Sequence, residues 1–137
     1  MPTTSDLEAR LRQASSLPEA LDAGFDAFEA IRMTARDCQD QVPELFAAFV
    51  MAADAAVDGR EALTPAPSLP HAIGTEPGSA GTARADASQV ADALAALAAV
   101  LRDRLTDAAA VADTPDDRAA CQDAAEAAGR ICQLMTR

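Results

Sequence analysis

The chain has 137 residues, 22 acidic against 11 basic, giving a formal net charge of −11, and 36 of its residues are alanine. It contains no lysine, asparagine, tyrosine or tryptophan, and its one histidine, His71, lies among prolines and glycines. The missing lysine rules against Schiff-base and P-loop chemistry, the isolated histidine against His-based triads, zinc sites and Glu-x-x-His di-iron bundles, and the acidic balance against nucleic acid, whose phosphates it would repel.

The N-terminus, Met1-Pro2-Thr3-Thr4-Ser5-Asp6, lacks the charged and apolar regions of a signal peptide. Ser5-Asp6-Leu7-Glu8 reads as a capping box opening a short helix. Its apolar face, Leu7, Leu11 and Ala14, is too small to be stable alone. Ser16-Leu17-Pro18-Glu19 is a second capping box, with proline in the first turn of a helix that should run to about Asp40. At about 100° per residue, Leu17, Leu21, Phe25, Phe28, Ile31, Ala35 and Cys38 form one stripe, with Asp22, Asp26, Glu29, Met33, Asp37 and Asp40 opposite. Pro43 stops this helix, because it pushes Val42 out of α geometry, and can start the next one. There Leu45, Phe46, Phe49, Val50, Ala53, Ala56 and Val57 make a wide apolar face up to about Leu63. The short join predicts an antiparallel hairpin over about 17–63, and all four phenylalanines fall in it.

Residues 64–83 change character: Pro65, Pro67, Pro70 and Pro77 alternate with Gly74, Gly78 and Gly81, as in a linker or long crossover. A second, alanine-rich hairpin follows over about 86–136. Val90, Leu94, Leu97, Leu101, Leu105, Ala108 and Ala112 form its first seam. Thr114-Pro115-Asp116-Asp117 caps its last helix, with proline at the first position and acids in the first turn. Ala120, Ala124, Ala128, Ile131 and Met135 form that helix's apolar side, flanked by Cys121 and Cys132, and Glu126 and Arg130 are spaced as an i,i+4 pair on its outer face. The pattern predicts one all-α domain over residues 1–137: a four-helix bundle of two antiparallel hairpins plus a short N-terminal helix, joined by a Pro/Gly-rich crossover.

Leu, Ile, Val and Phe number only 25, so the core is thin and gains from a partner that buries more surface. Exclusive use of arginine, with no lysine, asparagine or tyrosine, fits a GC-rich bacterial genome. No apolar run approaches the ~20 residues that span a membrane. Cys121 and Cys132, roughly 16 Å apart on one helix, cannot bond to each other, and three free thiols suit a reduced, cytoplasmic protein.

Two constellations could carry chemistry. Asp22, Asp26 and Glu29 follow the spacing D-x3-D-x2-E, and Asp54, Asp58 and Glu61 repeat it. In a hairpin folding near residue 41, Glu61 would lie level with Asp22, Asp58 near Asp26 and Asp54 level with Glu29. Six such carboxylates could hold Mg²⁺ or Mn²⁺. The arrangement resembles the acidic helices of the all-α nucleoside triphosphate pyrophosphohydrolases, although their glutamate-rich motifs are missing here. The resemblance implies a metal-dependent phosphohydrolase. The simpler reading is a pair of solvated helix faces. The second constellation is Arg32, Arg60 and Arg104, which lie on or beside apolar stripes and could line an anion-binding cleft, snorkel, or pair with a carboxylate.

No catalytic residue and no required cofactor stand out. The leading expectation is a non-catalytic interaction protein that binds protein and self-associates as a homodimer, with Leu94, Leu97, Leu101, Leu105 and Arg104 at the interface. An acidic inhibitor or immunity-type binder of a basic partner is the alternative of a different kind.

Overall fold

The computed structural model describes residues 3–70 and 86–136. These form five α-helices and one 3₁₀ turn, with no strand among the described residues: α1 (Thr4–Gln13), α2 (Leu17–Cys38), the turn Pro43–Leu45, α3 (Phe46–Leu63), α4 (Ala87–Val111) and α5 (Pro115–Met135).

Side-chain caps fix where the helices begin. α1 starts earlier than a Ser5 cap predicts. The Thr3 hydroxyl accepts from the Asp6 N–H at 3.0 Å, and the Asp6 carboxylate accepts from the Thr3 N–H at 3.0 Å. Aspartate thus takes the place glutamate usually holds in a capping box, and Ser5 and Glu8 are not used that way. Ser16 caps α2 through the Glu19 N–H at 3.3 Å. The Glu19 carboxylate passes over the cap residue and accepts from the Ser15 N–H and hydroxyl at 2.9 and 3.1 Å. Asp86 caps α4 through the Ser88 N–H at 2.7 Å, and Thr114 caps α5 through the Asp117 N–H at 3.1 Å, with Pro115 in the first turn.

The helix contacts are those of a bundle. α4 lies most extensively against α5, α5 against α3 and α3 against α2; α4 also touches α2, and α1 rests on both of these. Gly24 on α2 faces Leu63 on α3, and Phe28 faces Gly59, so the two helices run antiparallel. Ser68, just beyond α3, bonds Asp117 at the start of α5, while Asp58 on α3 reaches Arg130 near its end; α3 and α5 are antiparallel as well.

This register corrects the expected one by a helical turn. Glu29 is level with Asp58 rather than Asp54, and Asp26 with Glu61 rather than Asp58. The cause is the connection: α2 ends at Cys38, short of Asp40, and the chain reverses through the 3₁₀ turn Pro43–Leu45 instead of near residue 41.

Phe28, Phe49, Ile31 and Ile131 supply the bulk of the core together with fully buried leucines, and alanine fills the rest. α3 faces two neighbours, so it buries a broad arc that includes Ala52, Ala55 and Gly59 and leaves Phe46 45 % exposed at its edge. Leu17 and Phe25 of the expected α2 stripe are half-buried. The seam of α4 is buried along its whole length. Leu94, Leu97, Leu101 and Leu105, expected at a subunit interface, are instead interior to the single chain; Leu101 and Leu105 lie against Gly24 of α2. With α5, α1 and α2 around it, α4 packs its seam inside its own chain rather than against the second copy expected from the sequence.

The start of the expected linker is anchored: Ala66 and Leu69 are buried and Ser68 is bonded to α5. His71, Gly74, Pro77, Gly78 and Gly81 lie outside the described residues. No described helix is long and apolar enough to cross a membrane.

Candidate functional site

Four of the six triplet carboxylates divide among three separate junctions. Asp22 and Asp26, one turn apart on α2, take the two Nη atoms of Arg10 on α1 at 2.7 and 2.5 Å. That clamp ties a helix with little apolar surface to the body of the fold. Glu29, whose side chain is only 12 % exposed, accepts from Arg32 at 3.1 and 3.2 Å and pairs with Arg60 across the α2–α3 junction. Burial pushes the Glu29 carboxyl up, but the hydrogen bonds and positive charges of the two arginines outweigh it and hold the group below its ordinary value.

On α3, Asp58 points the other way, to Arg130 of α5 at 3.4 Å. Arg130 therefore joins two helices rather than completing the expected pair with Glu126. Asp54 and Glu61 are exposed. Among the described residues, no group of three or more Cys, His, Asp or Glu side chains is placed to hold a metal ion.

The three candidate arginines do not form one cleft. Arg32 and Arg60 converge, and the anion between them is the chain's own Glu29. Arg104 stands apart on α4. Its Nη2 donates to the Ala14 carbonyl at the end of α1 at 2.9 Å, and its Nη1 lies 3.9 Å from Asp107. Its Nε is buried without a partner, beside a recess of about 220 Å³ lined by Ser15, Ser16, Leu17 and Val111.

A further polar junction carries no obvious sequence signal. Asp117, 2 % exposed, accepts from the Ser68 N–H at 3.0 Å and the Ser68 hydroxyl at 2.6 Å. Burial raises its carboxyl, but the bonds from Ser68 and Thr114 prevail and keep it below its ordinary value. The same charge acts on the neighbouring thiol: burial, then Asp117, pushes Cys121 up to about 11. Burial and Asp37 likewise raise Cys38. Neither thiol is activated, since the thiolate is the nucleophile.

The remaining feature faces outward. An open groove of about 740 Å³ runs between α4 and α5. Small residues line it, among them Ala109, Ala110, Ala125 and Gly129, and so do the charged residues Arg102, Arg118, Asp123 and Glu126. Arg102 bonds Asp103 at 3.2 Å, and its stem passes 3.8 Å from where a Gly129 β-carbon would stand. Arg118 reaches the Ala112 carbonyl at the turn between the helices at 3.1 Å. The two arginines thus mark opposite ends of the groove, and Glu126, one turn from Gly129, shares the Arg102 end. Its signal in sequence is the four-residue spacing of Arg102, Thr106 and Ala110 against Arg118, Gln122 and Glu126.

Compared with known proteins, the chain matches no family, no curated sequence and no solved structure.

Proposed function

We propose that this chain is a four-helix bundle of two antiparallel hairpins with a short N-terminal helix, and that it acts without catalysis, through protein–protein contact, associating with itself. The observation that carries this reading is the α4–α5 groove, with small residues along it and charges of both signs. Small residues let another helix approach closely, and mixed charge at the edge of a contact selects a partner and a register. The use of the other charges supports it: Arg10, Glu29, Arg60, Asp58 and Arg130 join helices to one another. A thin core adds a motive, because association stabilises the folded chain by mass action.

That linkage supplies the test. The midpoint of thermal unfolding should rise by several degrees as the chain is concentrated from about 5 to about 500 μM. A midpoint independent of concentration would count against self-association.

A further inference from the structure

We propose that α1 is a hinged strap: it lifts off α2 and α4 as one unit about Ala14 while the other helices stay folded, and its exposed ionic clamp makes that opening sensitive to ionic strength. This stands apart from the reading of the chain as a self-associating protein.

α1 is the helix with least to hold it. It buries two side chains, Leu7 and Leu11, where α2 buries eleven residues and α4 ten. A helix of ten residues is marginal on its own, so its order depends on docking. The docking is largely ionic. Arg10 takes Asp22 and Asp26, and its side chain is 42 % exposed, which leaves the clamp open to screening. The α2–α3 and α3–α5 junctions rest instead on the largely buried Glu29 and Asp117. The strap itself is charge-neutral, with Asp6 and Glu8 against Arg10 and Arg12, so salt acts on its docking chiefly through Arg10.

The pivot is equally well defined. Ser15 is bonded to Glu19 and so belongs to the start of α2, and α1 ends at Gln13. Ala14 alone lies between them, its carbonyl held by Arg104 of α4. The same guanidinium keeps its Nε buried without a partner beside this turn. The closed form thus leaves an N–H unbonded at its own hinge, which favours opening. Opening uncovers Leu7, Leu11 and the α2–α4 surface beneath them, and it frees Asp22 and Asp26. The closed strap therefore conceals an apolar strip with two carboxylates at its edge.

Native-state hydrogen exchange on the full chain at low urea tests this. The amides of Leu7–Gln13 should share one opening constant, at least about 100-fold larger than that of buried amides in α3 and α4, with a shallower urea dependence. Raising NaCl from about 0.05 to about 1 M should increase that constant about threefold to tenfold. Arg10→Gln should produce a similar increase at low salt and abolish the salt response. If circular dichroism shows that Arg10→Gln loses more helix than α1 contains, Asp22→Asn replaces it, with a smaller increase and a reduced salt response expected. Exchange of α1 at the rate and urea dependence of the bundle would overturn the strap, since α1 would then unfold only with the rest. Rates graded from the Thr4 end without urea dependence would overturn opening as one unit. A full salt response persisting in the variant would overturn the clamp.

Discussion

Gly59 of α3 lies directly against the ring of Phe28 of α2, so close that a β-carbon at residue 59 would overlap the ring. Both residues are buried where the two helices meet. Gly59→Ala must therefore displace a packed ring or part the helices, at about 1–3 kcal/mol, which outweighs the ~1 kcal/mol that alanine gains in helix propensity. Gly24 is the internal control. A β-carbon there would meet Leu63, Leu101 and Leu105 at an ordinary 3.5 Å, so Gly24→Ala should stabilise by about 0.5–1 kcal/mol. Urea denaturation of the two variants should give shifts of opposite sign; equal shifts would contradict the close approach.

Glu29→Gln should cost about 2 kcal/mol, because Arg32 and Arg60 lose a shared, largely buried carboxylate. The pH dependence has a fixed sign. A carboxyl held below its ordinary 4.5 in the folded chain adds stability above that pH and loses it as pH falls through the lower folded value. Wild type should therefore lose stability below about pH 4.5 more steeply than the Glu29→Gln variant. Parallel curves would remove Glu29 from that role.

Asp117→Ala should cost about 2 kcal/mol, more than Ser68→Ala, because it leaves the Ser68 N–H and hydroxyl without their acceptor. Amide hydrogen exchange gives a local readout. The Ser68 amide should be protected in wild type and exchange rapidly in Asp117→Ala. Equal protection in both would mean that something other than Asp117 anchors residues 64–70.

Native thiol labelling at about pH 8 should be selective. Cys121, buried and raised to about 11, and Cys38, buried and also raised, should resist iodoacetamide. Cys132, only partly buried, should react first. In denaturant all three should label at similar rates. Early labelling of Cys121 in the native chain would contradict its burial in the core.

The parts of the fold that sequence discloses are local. Thr114-Pro115 and Ser16 mark real helix starts, and the seam Val90–Leu94–Leu97–Leu101–Leu105 is buried as its spacing predicts. The errors mostly involve relations between segments. The Pro43–Leu45 turn moves the reversal of the first hairpin and displaces the register by one turn. Carboxylates at matched heights then point to different neighbours: Asp26 to Arg10, Glu29 to Arg60, Asp58 to Arg130. The Ser68–Asp117 bond spans 49 residues, and no spacing rule reports a contact of that range. Whether an apolar seam meets its own chain or another copy is likewise a tertiary matter. Here the core around Leu94–Leu105 is enclosed within the chain, and the outward α4–α5 face carries small and charged residues, whose helical spacing shows nothing hydrophobic to find.

The weight-average mass of the full chain in solution, measured by sedimentation equilibrium from about 1 to about 500 μM at physiological salt, addresses self-association most directly. The account predicts a reversible rise from the single-chain 14.1 kDa toward twice that value. A mass that stays at 14.1 kDa across the whole series would contradict it.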